Sequence, residues 1–548
     1  MKAFTTRVNA LLLMLGAVRP RGRSTGWMGL VGGYGGIGPA PVGTLRPLSE
    51  EVADEQRQVG AARGWLRFAI ALGCCALVAV PFLSVQFPPV TDLPQHVAQI
   101  RLFWEALHDP SSPYRVQWLT PYGLAYVVVS AIWSLVSPEN TGRLAALAIG
   151  LLWMGTGHLL AAARGRSPAA AIVASVLLFN HTLYWGFYSF VVGWPVFAGW
   201  LLLTSGRRAH RIGWGDALGL FAAAALLYFT HALWLAVGAL WFLVSSVFNR
   251  VGFRRAALRL LSFSPVLVVA AIWYPRLAAH GFDSPTRWFF LPSSRLSFSW
   301  LVDAILGGLR GPAEYLVLVA MIGWVGLALY PHRREPPAAV DRELLLAAAL
   351  LACLAFLLPD LRTNTIAFAK RWAPCAAVLL VLGTPVPRWK PAVQYLVAVG
   401  LLVAMVGGTT MAWVQFDRRE YSGLAESLRA LPERPRVIGL NLAPESELVK
   451  GRPFIQTFAY AQVLRGGELN FSFADFAPSP VVYRTRRKPT WTWGLEWSPG
   501  LVQRSDLDQF DYAIVNGDEA THKEFATHFG VAPVTHQGRW RLYRLRPS

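Results

Sequence analysis

Apolar runs separated by short polar breaks fill most of the chain. The first convincing run is Trp65 to about Phe87, and others follow at 122–137, 143–163, 168–182, 184–205, 215–230, 232–248, 256–274, 312–330, 343–358, 373–386 and 391–413. A helix needs roughly 20 apolar residues to cross a bilayer upright, so several of these are short. The short pairs that meet at His181 and at His231 predict broken or half-depth helices, which survive at membrane depth only where protein or a water-filled cavity surrounds them. Beyond residue 418 the pattern changes to that of a soluble fold. Tyr421–Leu431 reads as a helix, Arg436–Leu442 and Asp511–Asn516 as buried strands, Asp518–Phe529 as a helix, and Ala532–Leu545 as a hairpin turning at Gln537-Gly538. The expected fold is therefore an all-α polytopic membrane protein of about 11–13 transmembrane helices with a small C-terminal α/β domain on the extracytoplasmic side. Its expected parts are a disordered basic cytoplasmic tail (1–64), a transmembrane domain (65–413) and the soluble domain (414–548).

Composition narrows the class. Of 548 residues, 54% are hydrophobic and only 15% charged, which excludes an ordinary soluble enzyme. The net charge of +20 comes from 51 Lys and Arg against 31 Asp and Glu. These cations sit in small clusters between apolar runs rather than in one patch, so they imply a membrane and not nucleic acid. Cys74, Cys75, Cys353 and Cys375 lie inside apolar runs without metal-ligand spacing, so neither a disulfide framework nor a metal site is expected. The apolar piece Ala10–Val18 is too short to span, and the Arg-rich, Gly-rich surroundings read as a tail.

Orientation follows from the loops. Arg207, Arg208 and Arg211, then Arg250, Arg254 and Arg255, then Arg333, Arg334 and Arg342, then Arg388 and Lys390 mark alternate connections as cytoplasmic. Loops 275–311 and 359–372 then face outward with the C-terminal domain. Twelve segments cannot join a cytoplasmic start to an external end, because that requires an odd number. The discrepancy is expected between residues 122 and 205, where a simple count puts Arg164 and Arg166 on the wrong side.

Candidate chemistry collects on the outer side. In Pro88-Pro89-Val90-Thr91-Asp92-Leu93-Pro94-Gln95-His96, Asp92 and His96 stand four apart at the start of an amphipathic helix expected to lie along the membrane surface. A carboxylate there could take a proton from an attacking hydroxyl. Asp92 with Gln95 and Pro94 equally matches a helix N-cap, and the two roles are compatible. The turn from Phe179 to Tyr188 places His181 and Trp185 where they could meet a sugar or a lipid headgroup, or simply form an interfacial aromatic belt. His231 at the next joint faces a cavity or packs. Arg276, Arg287 and Arg295 in one outer loop, and Arg362, Lys370 and Arg371 in the next, could bind a phosphate, lipid headgroups, or Asp360. Phosphate-binding P-loop, zinc-hydrolase and serine-hydrolase signatures are missing from the sequence.

This layout of one span, an acidic first outer loop with surface helices, many paired short spans and an external domain resembles the C-type (GT-C) integral-membrane glycosyltransferases. That group includes the protein O-mannosyltransferases and the aminoarabinose transferases of lipid A. Gly142-Arg143-Leu144 opening a span and the Thr230-His231 joint, where relatives often carry Thr-Lys, strengthen the likeness. The resemblance implies transfer from a polyprenyl-phosphate-linked sugar donor to a glycan, lipid or protein acceptor outside the cytoplasm, in a bacterial inner membrane. It implies Asp92 as base and Arg371 with Lys370 as phosphate clamp. Beside these, the residues themselves suggest His96 assisting the base and His181, Trp185, His231 and Arg287 about the substrate, with no cofactor, no metal-ligand cluster and no nucleic acid expected. One departure stands out: many relatives carry a second acidic residue in the turn corresponding to Asn180–Ser189, and this chain has none there. A lipid or glycan transporter and a catalytically inert assembly or sensing protein are the alternative readings.

Overall fold

The computed structural model describes the backbone of residues 48–279, 285–331, 339–362 and 365–546. Most of the expected N-terminal tail, with Arg333 and Arg334, lies outside these residues, as does the side chain of Arg276. Met1–Ala62 and Arg63–Ser548 form two compact units, and everything below concerns the second. The fold is mostly helical, at 63%. Among the described residues, five helical stretches are long and apolar enough to cross a membrane: Gly64–Leu83, Pro138–Ala163, Pro168–Trp185, Phe253–Pro275 and Pro391–Glu420. Shorter apolar helices at Gly123–Trp133, Tyr188–Thr204, Trp214–Thr230, Ala232–Phe248 and Ala313–Leu329 fill the spaces between them.

Hydrogen bonds define two ends of this bundle. At one, Arg164 pairs with Asp341 and Glu343, Arg166 donates to the carbonyls of Leu382 and Thr384, Glu343 accepts from the Gly206 amide, and Arg67 donates to the Arg166 carbonyl. Arg164 and Arg166 thus share an end with the Arg207 and Arg342 loops, and this locates the miscounted segment. Helix Gly123–Trp133 begins beside Tyr122 and Tyr126 in the cavity described below. The next helix, Pro138–Ala163, begins near the first loop, with Gly142 against Leu93. The intervening eleven-residue helix therefore starts and finishes on one side. Without it, the twelve expected segments become an odd set, consistent with a C-terminal domain at the end opposite Arg164.

Among the described residues there are seven strands: β1 (Tyr114–Val116), β2 (Arg436–Asn441), β3 (Glu468–Leu469), β4 (Val481–Tyr483), β5 (Tyr512–Asn516), β6 (Ala532–Pro533) and β7 (Trp540–Arg544). Five form a sheet of order β3-β2-β5-β7-β6, parallel across β3, β2 and β5 and antiparallel thereafter. Period-two alternation splits its side chains. Val437, Ile514 and Leu542 join the core of the bundle, whereas Ile438, Leu440, Ala513 and Val515 pack with Phe525 of helix Glu519–Phe529. Gly439 is obligatory at the first face, because a Cβ there would fall 2.1 Å from the Phe458 ring. The expected hairpin is β6–β7, with Gly538 at φ +85°.

The first loop is fastened to this domain. β1 pairs antiparallel with β4 in the register Tyr114↔Tyr483. Helix Leu93–His108 is not a free surface helix, since Leu93 to Ile100 are buried on every face, the polar ones included. Gln95 reaches Gln456 and the Phe473 amide, and Gln99 accepts from the Val481 amide at 3.0 Å. Its amphipathic stripe therefore faces protein, and only its last turns leave Trp104 and Leu107 exposed.

Candidate functional site

A cavity of about 600 Å³ lies where the first loop, the His181 and His231 joints, the loop after 365 and the C-terminal domain converge. Asp92 lines it. The residue stands at the N-cap of helix Leu93–His108, with Pro94 in the first turn, yet its side chain makes no capping bond. Gln95, its expected capping partner, is committed to the C-terminal domain instead. The Asp92 backbone is held from behind, its amide donating to the Trp185 carbonyl at 3.1 Å while Thr91 donates to Tyr184. This close approach depends on Gly186, which ends helix His181–Trp185 at φ +77° and whose Cβ would sit 3.0 Å from the Asp92 nitrogen. Among the described residues nothing hydrogen-bonds or ion-pairs with the Asp92 carboxylate. Burial pushes its pKa up to about 7, opposed by the nearby Arg371 charge.

Arg371 supplies the facing cation. It is 6% exposed, its guanidinium lies over the Phe187 ring at 3.7 Å, and Nε and Nη2 donate to the Ile366 carbonyl at 3.1 and 2.9 Å. Among the described residues it has no ion pair, and burial lowers its pKa to about 10. Its side chain is thus oriented by a carbonyl and an aromatic face, with Asp92 as a countercharge that it does not contact in an ion pair, an arrangement that leaves room for an anion.

His96 lines the same cavity, but its ring is fully occupied. Nε2 must donate to the Gly186 carbonyl at 2.9 Å, leaving Nδ1 to accept from Tyr126 Oη at 2.8 Å. Burial holds its pKa down at about 4, so it sits as a neutral, fixed tautomer. No ion pair joins it to Asp92 among the described residues. His231 also lines the cavity. Its Nδ1 accepts from the Leu233 amide, capping helix Ala232–Phe248, and its ring meets Tyr122 edge-on at 4.7 Å.

The remaining expected residues lie around this cavity rather than in its wall. His181 is 3% exposed at the start of its short helix, beside Gly307. Trp185 stacks on Phe187 at 5.7 Å and borders Gly451. Lys370 points away from its neighbour Arg371, its ammonium over the Phe290 ring at 5.1 Å, and burial lowers its pKa. Arg287 joins two outer loops through its backbone, exchanging hydrogen bonds with Leu361 and accepting from Asp360, with its side chain exposed. Asp360 belongs to Arg295, which it meets at 2.9 Å in a fully buried pair. Among the described residues no three His, Cys, Asp or Glu side chains gather as metal ligands.

Sequence reasoning missed one whole wall. Phe471, Phe473, Asp475, Arg486, Trp493, Glu496 and Trp497 of the C-terminal domain line the same cavity as Asp92. A signal was present in Trp491-Thr492-Trp493-Gly494-Leu495-Glu496-Trp497, three tryptophans in seven residues of a soluble domain. Tyr122 and Tyr126, from the start of the short helix Gly123–Trp133, were missed as well.

No family model matches the chain, and no curated protein matches it. Two solved structures do. The crystal structure of ArnT from Cupriavidus metallidurans in the apo state is 15% identical and superposes with a TM-score of 0.51 over 89% of this chain and 98% of that one. The structure of ArnT from the same organism bound to undecaprenyl phosphate is 13% identical, with a TM-score of 0.42 over 89% and 99%. The first likeness is one of fold: this chain has the membrane-protein architecture of ArnT, an aminoarabinose transferase of the GT-C class. The resemblance expected from the layout of the sequence holds at that level.

Proposed function

We propose that the protein is a membrane glycosyltransferase that moves a sugar from a polyprenyl-phosphate donor to an acceptor on the side of the C-terminal domain. The observation that carries this reading is the presence, in one cavity, of a carboxylate at Asp92 and a guanidinium at Arg371 that have no ion pair among the described residues. A base that titrates near the working pH suits deprotonation of an acceptor hydroxyl. A buried guanidinium suits a leaving phosphate, because two of its donors are tied to Ile366 and the rest make no hydrogen bond among the described residues. In the proposed step the acceptor oxygen attacks the anomeric carbon, its proton passes to Asp92, and the bond to the phosphate oxygen breaks as negative charge grows beside Arg371. A lipid-linked donor needs no nucleotide pocket and reaches such a site by lateral diffusion.

His96 acts here by position rather than by proton transfer, with His231 as a second neutral wall. The domain arrangement proposed with this reading is a transmembrane body at 65–413 and an extracytoplasmic domain at 414–548, with the Arg164 end in the cytoplasm. The test is turnover of a panel of labelled polyprenyl-phosphate sugars by the purified protein in liposomes with mixed glycan and lipid acceptors. Donor loss in the wild type that Asp92→Asn abolishes is expected. Equal turnover by both proteins, or none by either while a known transferase works in parallel, would overturn the reading.

A further inference from the structure

The C-terminal domain places a buried acid in the wall of the cavity that Asp92 lines. Glu496 is 7% exposed and lines the cavity together with Asp92 and Arg371. Among the described residues no cation or hydrogen-bond donor of another residue meets its carboxylate. Asp475, the nearest acid, is already clamped by Arg487. An unpaired buried carboxyl is costly and is explained when a ligand completes it. Its flanks suggest which ligand. Trp493 and Trp497, 59% and 43% exposed, border the same cavity on either side in sequence. Aromatic faces beside a carboxyl suit a sugar, whose C–H faces are apolar and whose rim is hydroxyl. A carboxyl in either protonation state can exchange hydrogen bonds with such hydroxyls.

The cavity also continues. A second hollow of about 880 Å³ shares Asp475, Arg486 and Trp493 with the first and is lined further by Trp118 and Trp273. Together the two offer room for more than one sugar unit, running from the Asp92 end along the β1–β4 ribbon.

We infer that Glu496, with Trp493 and Trp497, forms an acceptor subsite that binds a glycan chain and presents its hydroxyl to Asp92. The inference rests on the transferase reading for its purpose but not for its binding chemistry. It also answers the missing acid of the Asn180–Ser189 turn, because a second carboxyl enters the site from the soluble domain instead.

The test pairs two binding measurements on the full-length protein in detergent: binding to an immobilised array of neutral and acidic oligosaccharides, and binding of radiolabelled undecaprenyl phosphate. The wild type is expected to retain a subset of the glycans. Glu496→Gln and Trp493→Ala are each expected to weaken that binding at least tenfold, with undecaprenyl phosphate binding unchanged. Because Trp493 is largely exposed, its truncation guards against loss by misfolding. An array on which the wild type binds nothing, variants that match the wild type, or variants that lose both ligands equally would each overturn the inference. Glycan binding that follows this pattern while no donor is ever turned over would leave the subsite standing and sink the transferase reading alone.

Discussion

At the end of the bundle that holds Arg164, one network pairs its charges: Arg164 meets Asp341 at 2.7 Å and Glu343 at 2.6 Å, and Glu343 in turn accepts from the Gly206 amide at 2.7 Å. At the opposite end, Asp92, Arg371 and Glu496 share a cavity with no ion pair among them in the described residues. Burial alone does not distinguish these regions, since both desolvate arginines and carboxylates. Completion does. A satisfied network fixes helices against one another, whereas unsatisfied groups facing a hollow hold a cost that a substrate can relieve. The same criterion works within the cavity end, where the fully buried Arg295–Asp360 pair reads as scaffold for the outer loops and Arg371, later in the same loop as Asp360, does not.

The largest predicted effect tests the unpartnered acid. Asp92→Asn should lower transfer by about 10²–10⁴-fold, measured as initial rate of donor consumption. The same variant should gain stability, because Asp92 titrates near 7 when folded against 3.8 in the free chain. Folding then takes up a proton between those values, and wild-type stability declines as pH rises from about 4 to 7. The Tm advantage of the variant should therefore be absent at pH 4, grow to pH 7 and level off above it. A cap lost at Asp92 would reverse that sign.

Next comes the unpartnered cation. Arg371→Ala should cost about 10²–10³-fold in turnover, and Arg371→Lys should restore only part of it, since an ammonium cannot both hold the Ile366 carbonyl and offer a fork. Indifference of the rate to either change would remove the phosphate from this site. On the satisfied side, Arg164→Ala should cost about 1–3 kcal/mol of stability by stranding Asp341 and Glu343, read as a lowered Tm. The rate per folded molecule should stay near that of the wild type, and a catalytic loss larger than the folding loss would break the contrast between the ends. The smallest effect is expected at His96. With both ring nitrogens engaged, His96→Asn should reduce the rate by about tenfold or less without moving the pH profile.

What the sequence could show followed from periodicity. Apolar runs, the breaks at His181 and His231, the paired strands Arg436–Asn441 and Tyr512–Asn516 and the acid in the first loop were legible because each is a local pattern. The ribbon joining Tyr114 to Tyr483 was not, as three-residue strands hundreds of positions apart leave no local period. Helix Leu93–His108 misled for a related reason. Its apolar stripe looks the same whether it meets lipid or protein, and only Gln95 and Gln99, buried against the distant domain, tell them apart. Helix Gly123–Trp133 was counted as a crossing because hydropathy does not record where a helix ends. Glu496 was invisible as a site residue until the domain folded back over Asp92.

The most direct test of the account is the pH dependence of kcat/KM for the donor found in the liposome panel, since that ratio reports groups of the free protein. The account predicts an acid limb of unit slope with its midpoint near pH 7, retained in His96→Asn and absent from the residual activity of Asp92→Asn. A profile flat from pH 5 to 8 in the wild type, or an acid limb that persists unchanged in Asp92→Asn, would contradict the claim that Asp92 is the base.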